Sequence, residues 1–338
     1  MEQAAVIILN YNGIHFLKQF LPSVINHSHG HRIIVADNGS TDESLEFLKK
    51  YFPEIEVMAL GKNYGYALGY DVVLQQIDNR YSILLNSDVE VTENWIEPVI
   101  RFMETDESIA ACQPKVLDFY RRAYFEHAGA AGGFIDTLGY PFCRGRILDT
   151  LEKDEGQYDD IRQVFWATGA CFFVRTAVYH EMGGFDAALH AHMEEIDLCW
   201  RMNQAGYKVF CVPESVIFHV GGGTMPVSNP RKTYLNFRNS TVVLYKNSRK
   251  KALIWKLCSK LALDTVAALT FLLKGNRKDF IAVMKGVLHF FTFLRKWNNG
   301  RKKSQKIIRK QGREPIYPGL LVINRYLLGK KTFRNFGF

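Results

Sequence analysis

The feature that most constrains the fold is an alternation, over residues 4–91, of short apolar runs with segments of helical period. Apolar runs at residues 4–9, 33–36, 56–60 and 81–85 read as strands. Between them, helical spacing passes through Phe16, Phe20 and Val24, then over 44–51 and 65–76. Strand and helix in strict turn predict βαβ units and an open, mostly parallel sheet with flanking helices.

In such a sheet ligands sit beyond the carboxyl ends of the strands, so the residues just after each apolar run matter most. Here they are polar: Asn10-Tyr11-Asn12-Gly13 after the first run, Asp37-Asn38-Gly39-Ser40 after the second, and Asn86-Ser87-Asp88 after the fourth. A carboxylate at the position of Asp37 can accept hydrogen bonds from a base or ribose, although Asp-Asn-Gly-Ser is also ordinary turn chemistry. Asn63 and Gly65 precede the third helix, where a glycine lets the backbone approach a nucleotide; the segment is not GxGxxG, which argues against a dinucleotide cofactor.

Two later motifs add chemistry. Glu194-Glu195-Ile196-Asp197 crowds three carboxylates at the start of a helix predicted for residues 195–204, where the dipole favours their charge and an ionised general base would be available. His219 follows the apolar run 215–218 and precedes a glycine loop, a placement suited to a metal ligand. Asp88 supplies a hard oxygen of the kind a divalent cation bridging two phosphates requires.

The charge is divided unevenly. Residues 231–338 hold 26 Lys/Arg against 3 Asp/Glu, whereas residues 1–230 hold 17 against 31, so the net +9 conceals an acidic body and a basic tail. The tail is rich in apolar and aromatic residues, which predicts docking on an anionic membrane surface rather than on nucleic acid, for which no zinc spacing or RNA-binding signature exists. Apolar faces led by Ile254, Leu257, Leu261, Phe271, Phe290 and Phe293 could equally cap the catalytic domain. Lys256, Lys260, Asp264 and Lys285 interrupt the apolar stretches and argue against membrane-spanning helices.

The remaining stretches are less informative. Residues 113–160 read as an irregular or short-stranded insertion of the type that recognises acceptors. Cys112, Cys143, Cys171, Cys199, Cys211 and Cys258 show no metal-ligand spacing and read as reduced core residues. The first apolar run lacks the features of a signal peptide, so a cytoplasmic location, peripheral on the inner face of the cell membrane, is expected.

Taken in order, VIILNYNG at 6–13, VADNGSTDES at 35–44, NYGYALGY at 63–70, LLNSDVEV at 84–91, GACFFVR at 169–175, GGFDAAL at 183–189, EEIDLCWR at 194–201, GYKV at 206–209 and HVGGGT at 219–224 resemble family 2 glycosyltransferases, specifically the rhamnosyltransferase-like branch of bacterial surface polysaccharide synthesis. The resemblance implies a GT-A fold over residues 1–245, with residues 246–338 as a basic, amphipathic helical region. It implies an inverting transfer from a nucleotide diphosphate sugar to a hydroxyl of a glycan or lipid-linked acceptor, with Mg²⁺ or Mn²⁺.

By position in the motifs, Asn10, Tyr11 and Asp37 would hold the base, and Asn63, Gly65, Asn86 and Ser87 would line the donor site. Asp88 and His219 would bind the metal, Arg238 would contact the diphosphate, and Glu195 would be the base, with Glu194 its rival. Asn86 departs from the family's DxD pattern, leaving Asp88 as the metal-binding carboxylate of that motif and opening a second possibility, an inactive sugar-nucleotide or glycan-binding protein on the same fold.

Overall fold

A computed structural model describes residues 4–221, 229–308 and 315–338. The first half lays down β1 (Ala4–Asn10), α1 (Ile14–His27), β2 (Arg32–Asp37), α2 (Ser44–Tyr51), β3 (Glu56–Ala59), α3 (Gly65–Leu74), β4 (Tyr81–Asn86), β5 (Val89–Val91), α4 (Glu97–Glu104) and β6 (Ile109–Asp118). β1 pairs in parallel with both β2 and β4, and β2 with β3, as the alternating pattern requires. Alternate residues of β1 serve different layers: Ala5 and Ile7 enter one core, Ala4, Val6 and Ile8 the other, which is what a period of two must do in a sheet covered on both faces.

After β6 come β7 (Gly133–Asp136), β8 (Pro141–Cys143), β9 (Arg146–Ile147), β10 (Thr150–Leu151), β11 (Arg162–Val164), β12 (Cys171–Arg175), α5 (Thr176–Glu181), α6 (Glu194–Ala205) and β13 (Lys208–His219). The main sheet runs β11-β13-β6-β12-β4-β1-β2-β3, with β5 added on β13. β12 lies antiparallel to both β4 and β6, while β6 and β13 are parallel to each other. The result is a mixed but mostly parallel sheet with helices on both sides, the GT-A architecture.

Two readings of the sequence change here. The insertion begins later than residue 113, because Gln113 to Asp118 belong to the long central strand β6. Gln113, Pro114 and Lys115 break the apolar pattern, yet Gln113 and Lys115 are buried and satisfied: Gln113 accepts from the Thr168 amide at 3.0 Å, and Lys115 pairs with Asp154 and Asp159. Likewise residues 208–219 form one strand rather than two runs, its register slipping between Val212 and Val216 beside Pro213.

The chain continues through α7 (Pro230–Asn247), α8 (Lys250–Leu273), α9 (Arg277–Thr292), α10 (Leu294–Ile307), β14 (Ile316–Tyr317) and α11 (Leu321–Tyr326). Asn229 caps α7 by accepting from the Arg231 amide at 2.9 Å, with Pro230 in the first turn where no amide donor is needed. α7 runs through residue 245 and ends in the buried Lys246 and Asn247, both bonded to Asp197 of α6. β14 returns to pair in parallel with β7, completing a second, five-stranded sheet of order β10-β9-β8-β7-β14.

The tail helices are both cap and surface. Phe290 is buried and Leu257 packs against the core, whereas Ile254 and Phe293 are exposed. Lys260 and Asp264 do not face water: they pair with each other at 3.1 Å, and the Tyr140 hydroxyl donates to Asp264 at 2.8 Å. No helix among the described residues is long and apolar enough to cross a membrane. All six cysteines are free thiols; five are buried, but Cys258 is exposed on α8, where a core position was expected.

Candidate active site

The ends of β1, β2 and β4 form the rim the pattern requires. Asn10 and Asp37 are buried side by side: the Asn10 amide donates to Asp37 Oδ2 at 3.2 Å, and the Ser40 amide donates to Asp37 Oδ1 at 2.9 Å. Asn10 Oδ1 is buried without a protein partner, and a Cβ on Gly13 would come within 2.5 Å of it, so that glycine keeps the space above the amide open. Tyr11, next in the chain, stands exposed.

Next to it, Asn63 Oδ1 accepts from the Gly65 amide at 2.7 Å, folding the loop into a tight turn. Gly65 has a φ of 77° and sits against the His190 ring, 2.7 Å from where a Cβ would be, so both conformation and space demand glycine.

Asp88 and His219 meet because β5 pairs with the end of β13, setting Val89 opposite His219. His219 Nε2 lies 3.2 Å from Asp88 Oδ1, and both groups are buried. Two atoms at that separation would subtend roughly 90–100° at a cation about 2.1–2.2 Å from each, a spacing compatible with neighbouring ligands once the imidazole has lost its proton. Asn86 and Ser87, half-buried just before Asp88, occupy the same turn.

A residue absent from the sequence reading completes this cluster. Glu126, buried after β6, places Oε2 3.3 Å from His219 Nδ1, at ion-pair distance though outside good hydrogen-bond geometry. Burial opposes charge on His219, but Glu126 and Asp88 outweigh it and hold the imidazolium up to about 10. Burial likewise opposes the Glu126 charge, and His219 overcomes it, lowering that carboxyl below its usual range. The two carboxylates address opposite nitrogens of one ring, so they cannot share an ion, and among the described residues no three such side chains converge as a metal cage. Any cation here takes its remaining ligands from substrate and water. Nothing in the sequence signalled Glu126, which stands in a stretch without periodicity.

The acidic motif behaves differently. Three residues before or at its start, His190, His192 and Met193, have φ of 68°, 67° and 74°, a left-handed run costly for side chains of this size. The loop is clamped by α7: the Asn239 amide donates to the carbonyls of Leu189, Ala191 and His192 at 2.7–3.0 Å. Arg238 serves the same clamp, donating to Leu189 O at 2.8 Å and to Asn239 Oδ1 at 2.7 Å. Its guanidinium is thus directed at loop carbonyls rather than standing open as the expected diphosphate contact.

Held this way, α6 starts with Glu194 and Glu195 in a site where an oxygen of each is buried without a partner. Burial raises Glu195 to about 7, and burial together with the Glu195 charge raises Glu194 well above the carboxylate range. The helix dipole does not keep both ionised at neutrality, as the sequence suggested, because desolvation exceeds it. Asp197, equally buried, stays low because Lys246 and Arg201 offset its desolvation.

The two acidic sites are bridged by aromatic rings. The Tyr66 hydroxyl donates to Gly169 O at 2.7 Å, and its pKa is raised by burial, by Tyr70, and then by Glu194 and Glu195. The Tyr66 ring packs edge-on against Tyr70 at 4.9 Å, and the Tyr70 hydroxyl donates to Leu85 O at 3.0 Å, at the end of the strand that leads to Asp88. Gly222, Gly223 and Thr224 of the glycine loop after His219 lie outside the described residues.

Comparisons with known proteins bear on the family and the fold. The sequence model of Glycosyl transferase family 2 matches residues 5–182. N-acetylglucosaminyl-diphospho-decaprenol L-rhamnosyltransferase of Mycobacterium tuberculosis is 23% identical over 301 residues, covering 83% of this chain and 97% of the relative. Among solved structures, GalNAc-T7 with UDP, GalNAc and Mn²⁺ superposes with a TM-score of 0.57 at 19% identity, covering 72% of this chain and 48% of the other. A mannosyltransferase of Pyrobaculum calidifontis with GDP-Man and Mn²⁺ gives 0.52 at 12% identity, covering 90% and 85%. With the family model spanning more than half of the sequence and the sheet arranged as described, the chain belongs to glycosyl transferase family 2 and has a GT-A fold.

Proposed function

We propose that this glycosyltransferase is inverting and metal-dependent, moving a hexosyl or deoxyhexosyl group from a nucleotide diphosphate sugar to a hydroxyl of a glycan or lipid-linked acceptor in cell-surface polysaccharide synthesis. The relatives' printed activities support the donor and acceptor classes: one is a rhamnosyltransferase named for a diphospho-decaprenol acceptor, and two fold neighbours hold UDP or GDP-Man with Mn²⁺. Residues 1–245 would carry the transfer and residues 246–338 would keep the enzyme at the inner face of the membrane.

The observation that carries the mechanism is the Glu194–Glu195 pair, Glu194 buried and Glu195 half-buried, each with one buried, unpartnered carboxyl oxygen and with Glu195 near 7. A carboxylate of that basicity is matched to taking a proton from an alcohol at neutral pH. Glu195 accepts the proton of the acceptor hydroxyl as that oxygen bonds to the anomeric carbon from the face opposite the leaving diphosphate. The carbon–oxygen bond to the diphosphate breaks in the same step, and configuration inverts. Asn10, Tyr11 and Asp37 seat the base, and the Asn63–Gly65 turn with Asn86 and Ser87 lines the path to the phosphates. Asp88 and His219 would hold Mg²⁺ or Mn²⁺, which when bound neutralises the charge of the departing diphosphate.

The test is Glu195→Gln, which keeps shape but removes the basic oxygen. Transfer should fall by about 10²–10⁴-fold while nucleotide-sugar affinity stays within severalfold. Turnover close to that of the unaltered enzyme would move the base to Glu194.

A further inference from the structure

α8 is built inside out. Its charged residues Lys260 and Asp264 are buried against Tyr140, whose ring lies 4.2 Å below the lysine ammonium. On the opposite side Trp255, Cys258, Ala262, Val266, Leu269 and Leu273 are all exposed, at steps of three and four that place them along one face. The exposure is substantial: Trp255 48%, Val266 57%, Leu269 49% and Leu273 87%. A helix adapted to water carries the reverse pattern, apolar inward and charged outward.

We propose that this outward stripe of α8, together with the α8–α9 turn, is the element that inserts into the headgroup region of an anionic lipid bilayer. The proposal rests on the membrane-surface part of the functional reading and assigns it to named residues. Charge selects the occupant. The turn that follows the stripe exposes Lys274, Arg277 and Lys278, and the surrounding residues 231–338 hold 26 basic against 3 acidic side chains. Anionic headgroups complement that field, whereas the same face of a second copy would bring like charge against like. Trp255 adds a ring suited to the boundary between acyl chains and water. The helix lies on the bilayer rather than through it, because its other face is occupied by the Lys260–Asp264–Tyr140 contact.

The decisive experiment uses the full chain with vesicles of phosphatidylcholine alone or mixed with phosphatidylglycerol, in low salt, read by co-sedimentation. The unaltered protein should bind the anionic vesicles and leave the neutral ones largely free. Val266→Glu with Leu269→Glu, both at exposed positions, should lower binding at least tenfold while thermal unfolding is unchanged. Lys274→Glu with Lys278→Glu should weaken binding and flatten its salt dependence. Failure of the unaltered chain to bind anionic vesicles, or unchanged binding in the first pair of substitutions, overturns the proposal. So does concentration-dependent self-association, measured by sedimentation without lipid, that the same pair abolishes in a chain that ignores vesicles. Transfer to a water-soluble acceptor should be equal in all these proteins, so loss of catalysis in the unaltered chain would count against the glycosyl-transfer reading and leave the docking result to stand by itself.

Discussion

Two clusters of carboxylates, linked through the rings of Tyr66 and Tyr70, are treated in opposite ways. Asp88 and Glu126 flank His219, whose charge compensates both. Glu194 and Glu195 have desolvated oxygens with no partner, and their protons are correspondingly hard to remove. The His219 charge lowers the Glu126 carboxyl below its usual range; without such a partner, burial raises Glu195 to about 7 and Glu194 well above the carboxylate range. A few residues further along α6, Asp197 shows that the fold can supply cations to an acidic group there, through Lys246 and Arg201, so the isolation of Glu194 and Glu195 is specific to them.

The contrast can be broken in several places. The largest effect should come from Glu195→Gln, with transfer down about 10²–10⁴-fold in a steady-state assay of nucleotide release; the same loss from Glu194→Gln with none from Glu195→Gln would exchange their roles. Next, Glu126→Gln should raise the Mn²⁺ concentration for half-maximal activity by about 10–100-fold without altering kcat at saturating metal, since the ligands stay and only the partner of the ring is weakened. A metal titration in which that variant matches the unaltered enzyme would detach Glu126 from the site.

A pH profile gives the third break. If Glu195 with its value of about 7 is the base, kcat should fall about tenfold per unit once pH drops below 7, since the protonated acid cannot accept. A profile flat down to pH 5 would remove Glu195 from that role.

The smallest effect is on stability, and its sign is opposite to the effect on rate. Because folding raises the Glu195 pKa above its ordinary 4.5, the folded state binds that proton more tightly than the unfolded chain. This favours folding below about 4.5 and is lost as pH rises through about 7. Replacing Glu195 with glutamine should therefore stabilise the protein by about 1–3 kcal/mol at pH 8 and by little at pH 5. Thermal unfolding at the two pH values measures it, and destabilisation at pH 8 would contradict the cause assigned to the shift.

The rim was legible in the sequence because each of its residues follows an apolar run, and parallel pairing converts that local position into proximity. Asn10, Asp37 and Asp88 are adjacent in space for the same reason that they follow the runs at 4–9, 33–36 and 81–85. Strand β6 was not legible past Cys112, since Gln113 and Lys115 look exposed until Thr168, Asp154 and Asp159 are seen to satisfy them. Glu126 was invisible because its meaning depends wholly on His219, brought beside it by the β6–β13 pairing. On α8 the sequence showed Lys260 and Asp264 only as interruptions of an apolar span; that Tyr140 and their mutual pairing take them inside depends on contacts no local pattern carries.

The pairing of β14 with β7 sets an order on synthesis. Ile316 must find Ile135, and the Leu321 amide donates to Asp136 at 2.8 Å, so a sheet begun early in translation waits for residues made some 180 positions later. Until then the edge of β7 is an open row of donors and acceptors, and such long-range closures are slow steps for a chain leaving the ribosome. The parallel sheet of β1 to β4 needs none of that delay. A nascent chain would therefore pass through a stage in which the rim at the ends of β1, β2 and β4 is already formed while the five-stranded sheet is still unfinished, and chaperone dependence should concentrate in that interval.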